Sequence, residues 1–359
     1  MTTAPASDNA TAENTIVKSS VTATCRVLRS VLLASLAEAK GYVASKHSTL
    51  SSVSLTFRDA GVLKLIATDI TRWYMDELTV DDMIVSDATD DGAVTVACDA
   101  KRLHDVVKAM DADETVLTLK GTLVKKVSPA FGSTGPRIEH ESLVQVTGST
   151  GEYNIKGGDS TLFPRTPSLP TQWTTYDASA LRSALDVAQP FVSKDRTRTH
   201  LCAALVEITP VKISVISTDG HRLAKIVRPA THAADAPTKF LVHLEAIGDL
   251  LDRCKAIIKA CKQYTPWGGG IEIGLQGNSV FWKGEGARCY AVQHELGADH
   301  FPPYEQVIPR TFDRGVTVER APFLAAMKRL TLVASQKTYG CAFRLPASAT
   351  LPPHIFLVE

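Results

Sequence analysis

A strand, a Thr-Asp turn closed by a basic residue, and a second strand occur twice in this 359-residue chain, and that repetition restricts the fold more than any other feature. The first occurrence is Leu63-Lys64-Leu65-Ile66-Ala67-Thr68-Asp69-Ile70-Thr71-Arg72-Trp73. The second is Ser217-Thr218-Asp219-Gly220-His221-Arg222-Leu223, after the alternating run from Val211 to Ile216. Asp69 and Asp219 stand 150 positions apart. Asp-Gly between two strand-like runs signals a β-hairpin with a tight primed turn, in which both central residues take positive φ. A supersecondary unit duplicated at long period calls for a tandem architecture.

The flanking patterns repeat with it. The first copy opens on a predicted helix from about Thr24 to Val43, with Leu28, Leu32, Leu36, Ala39 and Val43 at helical spacing. Strands follow at Ser52–Phe57, Leu63–Ala67, Trp73–Val80 and Val94–Cys98. Asp99 is a good N-cap for a helix Ala100–Met110 that turns Leu103, Val106, Val107 and Met110 inward. The stretch from Val124 to Ser142, with Pro129, Gly132, Gly135 and Pro136, reads as an irregular loop inserted in a hairpin. Prolines at 164, 167 and 170 then form a semi-rigid connector that marks a boundary.

The second copy has a helix from Asp177 to Val192 that Pro190 ends early, strands at Ala203–Ile208 and Ile213–Ser217, and the Asp219 hairpin. A helix from Leu244 to Cys261 carries Ile247, Leu250, Leu251 and Cys254, and strands at Ile271–Leu275, Ser279–Lys283 and Cys289–His294 follow. Trp173 and Tyr176, at its start, read as interdomain packing. A third copy starts at Thr317 with a helix Pro322–Ala334 and strands Cys341–Leu345 and His354–Val358. Ser45-Lys46, Ser193-Lys194 and Ser335-Gln336 stand at matching places after the three leading helices.

Bulk properties narrow the function. Basic and acidic residues number 39 and 38, which argues against a large basic surface that coats nucleic acid and leaves room for a small local patch that touches DNA. No apolar run reaches the ~20 residues of a membrane span. Seven cysteines are scattered without a Cys-x-x-Cys pair, the pattern of reduced thiols in a cytoplasmic protein. The small polar residues at the N-terminus read as a disordered tail. Chemistry-bearing motifs are missing: there is no Gly-x-Ser-x-Gly elbow and no Gly-Lys pair of a phosphate loop. Neither His140-Glu141 nor His294-Glu295 continues as a zinc-binding His-Glu-x-x-His. No catalytic residue, metal or cofactor is expected.

The order helix, Ser-Lys turn, strands, Thr-Asp turn, second helix, strands and Phe-Pro resembles the bacterial sliding clamp family, the β subunit of DNA polymerase III, over about Val21 to Glu359. Thr218-Asp219-Gly220-His221-Arg222-Leu223 carries most of the likeness. Lys194-Asp195-Arg196-Thr197-Arg198, Phe301-Pro302, Tyr304 and Val307-Ile308-Pro309 support it. The resemblance implies an α+β fold, the DNA clamp, with a tail at 1–20, clamp domains at 21–172 and 173–309, and a partial third at 310–359.

It also implies a non-catalytic processivity factor: a homodimeric ring around double-stranded DNA, helices lining the hole. Such a ring tethers the replicative DNA polymerase catalytic subunit and meets a clamp loader and other proteins bearing a clamp-binding motif. A hydrophobic peptide cleft is implied at Leu201, Thr218, Gly220, His221, Arg222, Leu223, Pro302 and Val307. Weak phosphate contacts to DNA are implied at Lys46, His47, Lys194, Arg196, Arg198 and His200. Gln306 stands where the family commonly has a basic residue, and the last strand of the third domain is missing from the sequence. From this comes an expectation that the chain alone dimerises poorly. The alternative is a shortened paralogue that binds such peptides without closing a ring.

Overall fold

A computed structural model of the protein describes residues 17–44, 49–86, 92–111, 115–128, 137–230, 237–261, 269–311, 317–333, 341–344 and 354–357. Two compact units result, Met1–Pro302 and Pro303–Glu359.

The first unit begins with β1 (Val17–Leu28), α1 (Arg29–Ala39), β2 (Ser52–Arg58), β3 (Val62–Thr68), β4 (Arg72–Thr79) and β5 (Asp81–Ser86). It continues with β6 (Ala93–Asp99), α2 (Ala100–Ala109), β7 (Val116–Ser128), β8 (Arg137–Thr147) and β9 (Glu152–Gly157). The pattern then recurs as β10 (Trp173–Asp177), α3 (Ala178–Ala188), β11 (Ala203–Thr209), β12 (Lys212–Thr218) and β13 (Leu223–Pro229). After these come β14 (Thr238–His243), α4 (Leu244–Cys261), β15 (Gly270–Gln276), β16 (Ser279–Lys283) and β17 (Cys289–Gln293).

Strand order exposes the duplication. The run β6-β2-β3-β4 of the first copy has its counterpart in β14-β11-β12-β13, and β1-β7-β8-β9 has its counterpart in β10-β15-β16-β17. β5 is an addition on the free edge of β1. In each copy the two helices pack on one another, α1 on α2 and α3 on α4. Asp99 and Asp177 cap α2 and α3: Asp99 accepts from the Arg102 N–H at 2.8 Å, and Asp177 from Ser179 and Ala180, both at 2.9 Å.

The two copies meet edge to edge. β17 pairs antiparallel with β4, with Tyr290 opposite Tyr74 and Ala291 opposite Trp73, so that eight strands form one sheet across the joint. Side chains alternate along each strand, which gives the joint two unlike faces. On one face Trp73, Met75, Ile66, Phe281 and Ala291 form a small core of their own, with Phe163 and Trp173 against it. The other carries Tyr74 and Tyr290, which belong to the main core. Trp173 therefore packs across the joint, as its position suggests, whereas Tyr176 is buried in the main core.

Three expectations are corrected. Val17–Ser20 is not tail but the start of β1, paired with Val124–Val127 of β7. The leading helix begins at Arg29 rather than Thr24, because Ala23, Cys25 and Val27 bury at strand period before the helical stripe Leu32, Leu36 and Ala39 takes over. The region from Val124 to Ser142 is mainly strand: β7 and β8 stay in register from Thr118–Thr147 to Ser128–Arg137. The glycines and prolines that made it look irregular, at 129–136, lie outside the described residues.

The second unit contains α5 (Arg320–Val333) and an antiparallel pair, β18 (Cys341–Arg344) with β19 (His354–Leu357). The Ser335-Gln336 copy of the Ser-Lys turn falls outside the described residues.

Candidate functional site

The Asp219 turn is built by its own side chains. Thr218 ends β12, Leu223 opens β13 opposite it, and four residues lie between. The Thr218 hydroxyl donates to the Arg222 carbonyl at 2.8 Å and accepts the Gly220 N–H at 3.1 Å. Asp219 Oδ1 accepts from the His221 and Arg222 N–H groups at 3.0 and 3.1 Å, and Oδ2 takes the Arg222 guanidinium at 2.9 Å. Partial burial opposes ionisation of this carboxylate, but the two backbone N–H groups and the arginine outweigh it and hold its pKa below the usual value.

Only Gly220, the first central residue, has positive φ, at 90°. This is the glycine position of a II′ hairpin, so the expectation of two positive φ values is corrected to one. The Asp219 carboxylate substitutes for its own carbonyl as the acceptor for Arg222.

Arg222 reaches beyond the turn. Its Nη2 donates to the Pro190 carbonyl at 2.8 Å and its guanidinium lies over the Phe191 ring at 5.1 Å, which ties the hairpin to the end of α3. The first copy reproduces most of this network. Thr68 donates to the Arg72 carbonyl at 2.7 Å, and Asp69 holds the Arg72 N–H and guanidinium at 2.7 and 2.9 Å. Arg72 donates to the Gly41 carbonyl at 3.1 Å and lies over Tyr42 at 5.3 Å. The duplicated motif therefore includes the residue pair after each leading helix, Gly41-Tyr42 and Pro190-Phe191. Sequence reasoning missed those partners, and the signal available was an aromatic residue at matching distance after each helix.

The basic loop adjoins the turn. Its ends are joined by the Ser193 N–H donating to the Leu201 carbonyl at 3.0 Å, and Asp195 folds it by accepting from the Thr197 N–H and hydroxyl at 3.0 and 2.7 Å. The Thr197 hydroxyl and N–H, joined by Arg198, hold the Asp195 pKa below the usual range. A Cβ placed on Gly220 would meet Arg198 Nη1 at 3.2 Å and Leu201 Cδ1 at 3.9 Å, so turn and loop are in contact. Buried His294 braces the loop from the other side, with Nε2 3.1 Å from the Thr199 carbonyl.

Among the expected cleft residues the structure brings together Leu201, Thr218, Gly220, His221, Arg222 and Leu223. Leu201 and Thr218 are buried and form a floor, His221 and Arg222 are exposed, and Leu223 is half-buried. Half-buried Pro302 ends the first unit, and exposed Val307 belongs to the second. Among the expected DNA contacts, Arg196 is paired with Glu245 at 2.6 Å and Arg198 with Asp195 at 3.7 Å. Lys194 is exposed and has no acidic partner among the described residues, while His200 is half-buried in a 3₁₀ turn, Thr199–Leu201. Lys46 and His47 lie outside the described residues. Among the described residues, no group of three His, Cys, Asp or Glu side chains is arranged to hold a metal ion, and no helix is long and apolar enough to cross a membrane.

No protein-family model matches the chain. It is similar to the beta sliding clamp of Synechococcus elongatus, 29% identical over 299 residues, which cover 81% of this chain and 68% of that one. The beta sliding clamp of Synechocystis is 26% identical over 309 residues, covering 83% and 72%. Among solved structures, the DNA polymerase III subunit beta of Pseudomonas aeruginosa matches with a TM-score of 0.66 at 21% identity, over 90% of this chain and 78% of that one. The C. crescentus beta sliding clamp matches with a TM-score of 0.68 at 18% identity, over 93% and 83%. The chain has the DNA clamp fold.

Proposed function

We propose that this chain, whose relatives are beta sliding clamps and whose fold is that of the DNA clamps, acts as a sliding clamp that encircles duplex DNA and tethers a replicative polymerase. The observation that carries this reading is the edge-to-edge joint, in which β17 of the second copy extends the sheet that β4 ends in the first. A joint of that kind can be repeated, and a closed series of such joints is a ring. In this reading the clamp domains occupy 21–172 and 173–309, with part of a third at 310–359. A net charge of +1 fits retention by topology, since a ring needs only loose phosphate contacts such as Lys194, Arg196, Arg198 and His200 would provide.

Partner proteins, the clamp loader included, would dock a short peptide against the Asp219 turn. Leu201, Leu223 and Pro302 would supply apolar walls, Thr218 and Gly220 the backbone of the turn, and His221 and Arg222 the polar ends. The chemistry proposed is binding, with no bond made or broken by the clamp. The deciding experiment loads the protein on nicked circular DNA and then linearises it. Retention on the circle with loss after cutting is expected. Equal loss from circular and linear DNA would overturn the ring and favour a peptide-binding paralogue that does not close.

A further inference from the structure

The joint inside the chain is a template for a second one. β4 and β17 pair with each other, but their counterparts in the opposite copies, β13 and β9, are each the outermost strand of a sheet among the described residues. The described strands of the second unit, β18 and β19, pair with one another. An outermost strand offers its outer row of backbone N–H and C=O groups to any further strand that fits.

Paired core residues fix which positions correspond. Val144 opposite Ile155 and Val280 opposite Val292 are equivalent buried pairs, so Tyr153 of β9 is the counterpart of Tyr290. Thr68 opposite Trp73 and Thr218 opposite Leu223 are equivalent too, so Ala224 and Lys225 of β13 correspond to Tyr74 and Met75. In the internal joint Tyr290 faces Tyr74 and Cys289 faces Met75. The same register on the two free edges sets Tyr153 opposite Ala224 and exposed Glu152 opposite exposed Lys225, a pair of opposite charge.

The differences between the joints are matched on both sides. Arg288 fills the internal joint between Glu38 and Asp76, at 2.7 and 3.3 Å. On the free edges Gly151 stands in for the arginine, and Val187 of α3 and Ile226 of β13 stand in for the two carboxylates. Charge is thus gone from both edges together, and neither leaves the other an unpaired ion. Tyr290 rests against Tyr42 and Tyr74, with ring centroids 5.8 and 5.6 Å away, and is 9% exposed. Tyr153 is 44% exposed, and the seat that corresponds to that of Tyr290 is apolar: Val187, itself 45% exposed, with Phe191 and Ala224.

We propose that β9 of one copy pairs antiparallel with β13 of a second copy of this chain, in the register of the internal joint. The contact is head to tail, so it continues from copy to copy and either closes as a ring or runs on. Its closure around DNA rests on the clamp reading, whereas the pairing does not. The internal ladder has four residue pairs. An interface this small gives a Kd of about 10 µM or weaker.

Sedimentation of the full chain between about 1 and 200 µM tests this. Monomer giving way to head-to-tail oligomers is expected. Tyr153→Ala should weaken association about fivefold. Lys225→Glu and Glu152→Lys should each weaken it about fivefold, and the two in one chain should restore it, because the pair then survives with its signs exchanged. A monomer throughout, or an oligomer indifferent to these variants, would overturn the joint. Full hydrogen-exchange protection of β13 in the dilute monomer would also overturn it, by showing that edge covered from within the chain. Undiminished retention of a Tyr153→Ala, Lys225→Glu double variant on circular DNA would mean a ring closed through another contact, overturning this joint and leaving the clamp. Charge-exchangeable oligomers that are lost equally from circular and linear DNA would support the joint and overturn the clamp.

Discussion

Ile70 and Gly220 occupy the same place in the two Thr-Asp turns, with φ of 82° and 90°. Glycine adopts that backbone freely, whereas a β-branched residue is strained there by roughly 1–3 kcal/mol. Ile70 is 56% exposed, so its side chain contributes little burial in return. Ile70→Gly is expected to stabilise the protein by about 1 kcal/mol, after allowing for the added freedom of the unfolded chain. A higher urea midpoint at unchanged slope is the measurement that checks it. The exposed His221 and half-buried Leu223 side chains take no part in the side-chain hydrogen bonds that shape the turn. His221→Ala or Leu223→Ala should therefore weaken capture of a polymerase-derived peptide about tenfold, the loss of one good apolar or polar contact, with thermal stability little changed. Fluorescence anisotropy with a labelled peptide reads this directly, and unchanged affinity in both variants would remove the peptide from this turn.

At the scale of elements, the joint between β4 and β17 is held by more than backbone pairing. Arg288 sits between Glu38 of α1 and Asp76 of β4, and Arg72 reaches Asp249 of α4 at 3.2 Å. Burial raises the Asp249 pKa above the usual carboxylate value, and the Arg72 charge works against that rise. The side chain of Arg288 is 18% exposed and that of Asp76 is 4% exposed. Removing one partner leaves the other charge buried and uncompensated, so Arg288→Ala should destabilise by about 3 kcal/mol. Arg222→Ala, at a side chain 58% exposed, should lose about 1 kcal/mol or less. Chemical denaturation of the two variants side by side gives the comparison. Hydrogen exchange should show β4 and β17 losing protection together in Arg288→Ala, because the joint opens as one element.

For the whole molecule, 39 basic and 38 acidic residues give a net charge of only +1, so overall charge supplies little attraction to DNA. Two of the loop arginines are paired internally, which reduces it further. Raising salt from about 0.1 to 0.5 M should abolish binding to linear DNA while protein already loaded on a circle stays, since salt competes with phosphate contacts and not with topology. Gel filtration of loaded circles at both salt concentrations measures it.

Much of this organisation was legible in the chain. The Thr-Asp-x-x-Arg turn, the apolar stripes of α3 and α4, the Asp99 cap and the tandem order all depend on residues close together in sequence, where side-chain period and hydrogen-bonding type dictate local structure. The resemblance carried by Thr218–Leu223 likewise pointed to the fold that the structural comparisons show. Only the tertiary structure decided which edges meet. That β17 would complete the sheet of β4, and that Glu38 and Asp76 would receive an arginine more than two hundred residues away, follows from contacts between strands whose own sequences specify a period but not a neighbour. It decided as well between strand and helix at Thr24–Leu28. There both periods fit the apolar residues, and pairing with β7 along the whole of β1 selected the strand.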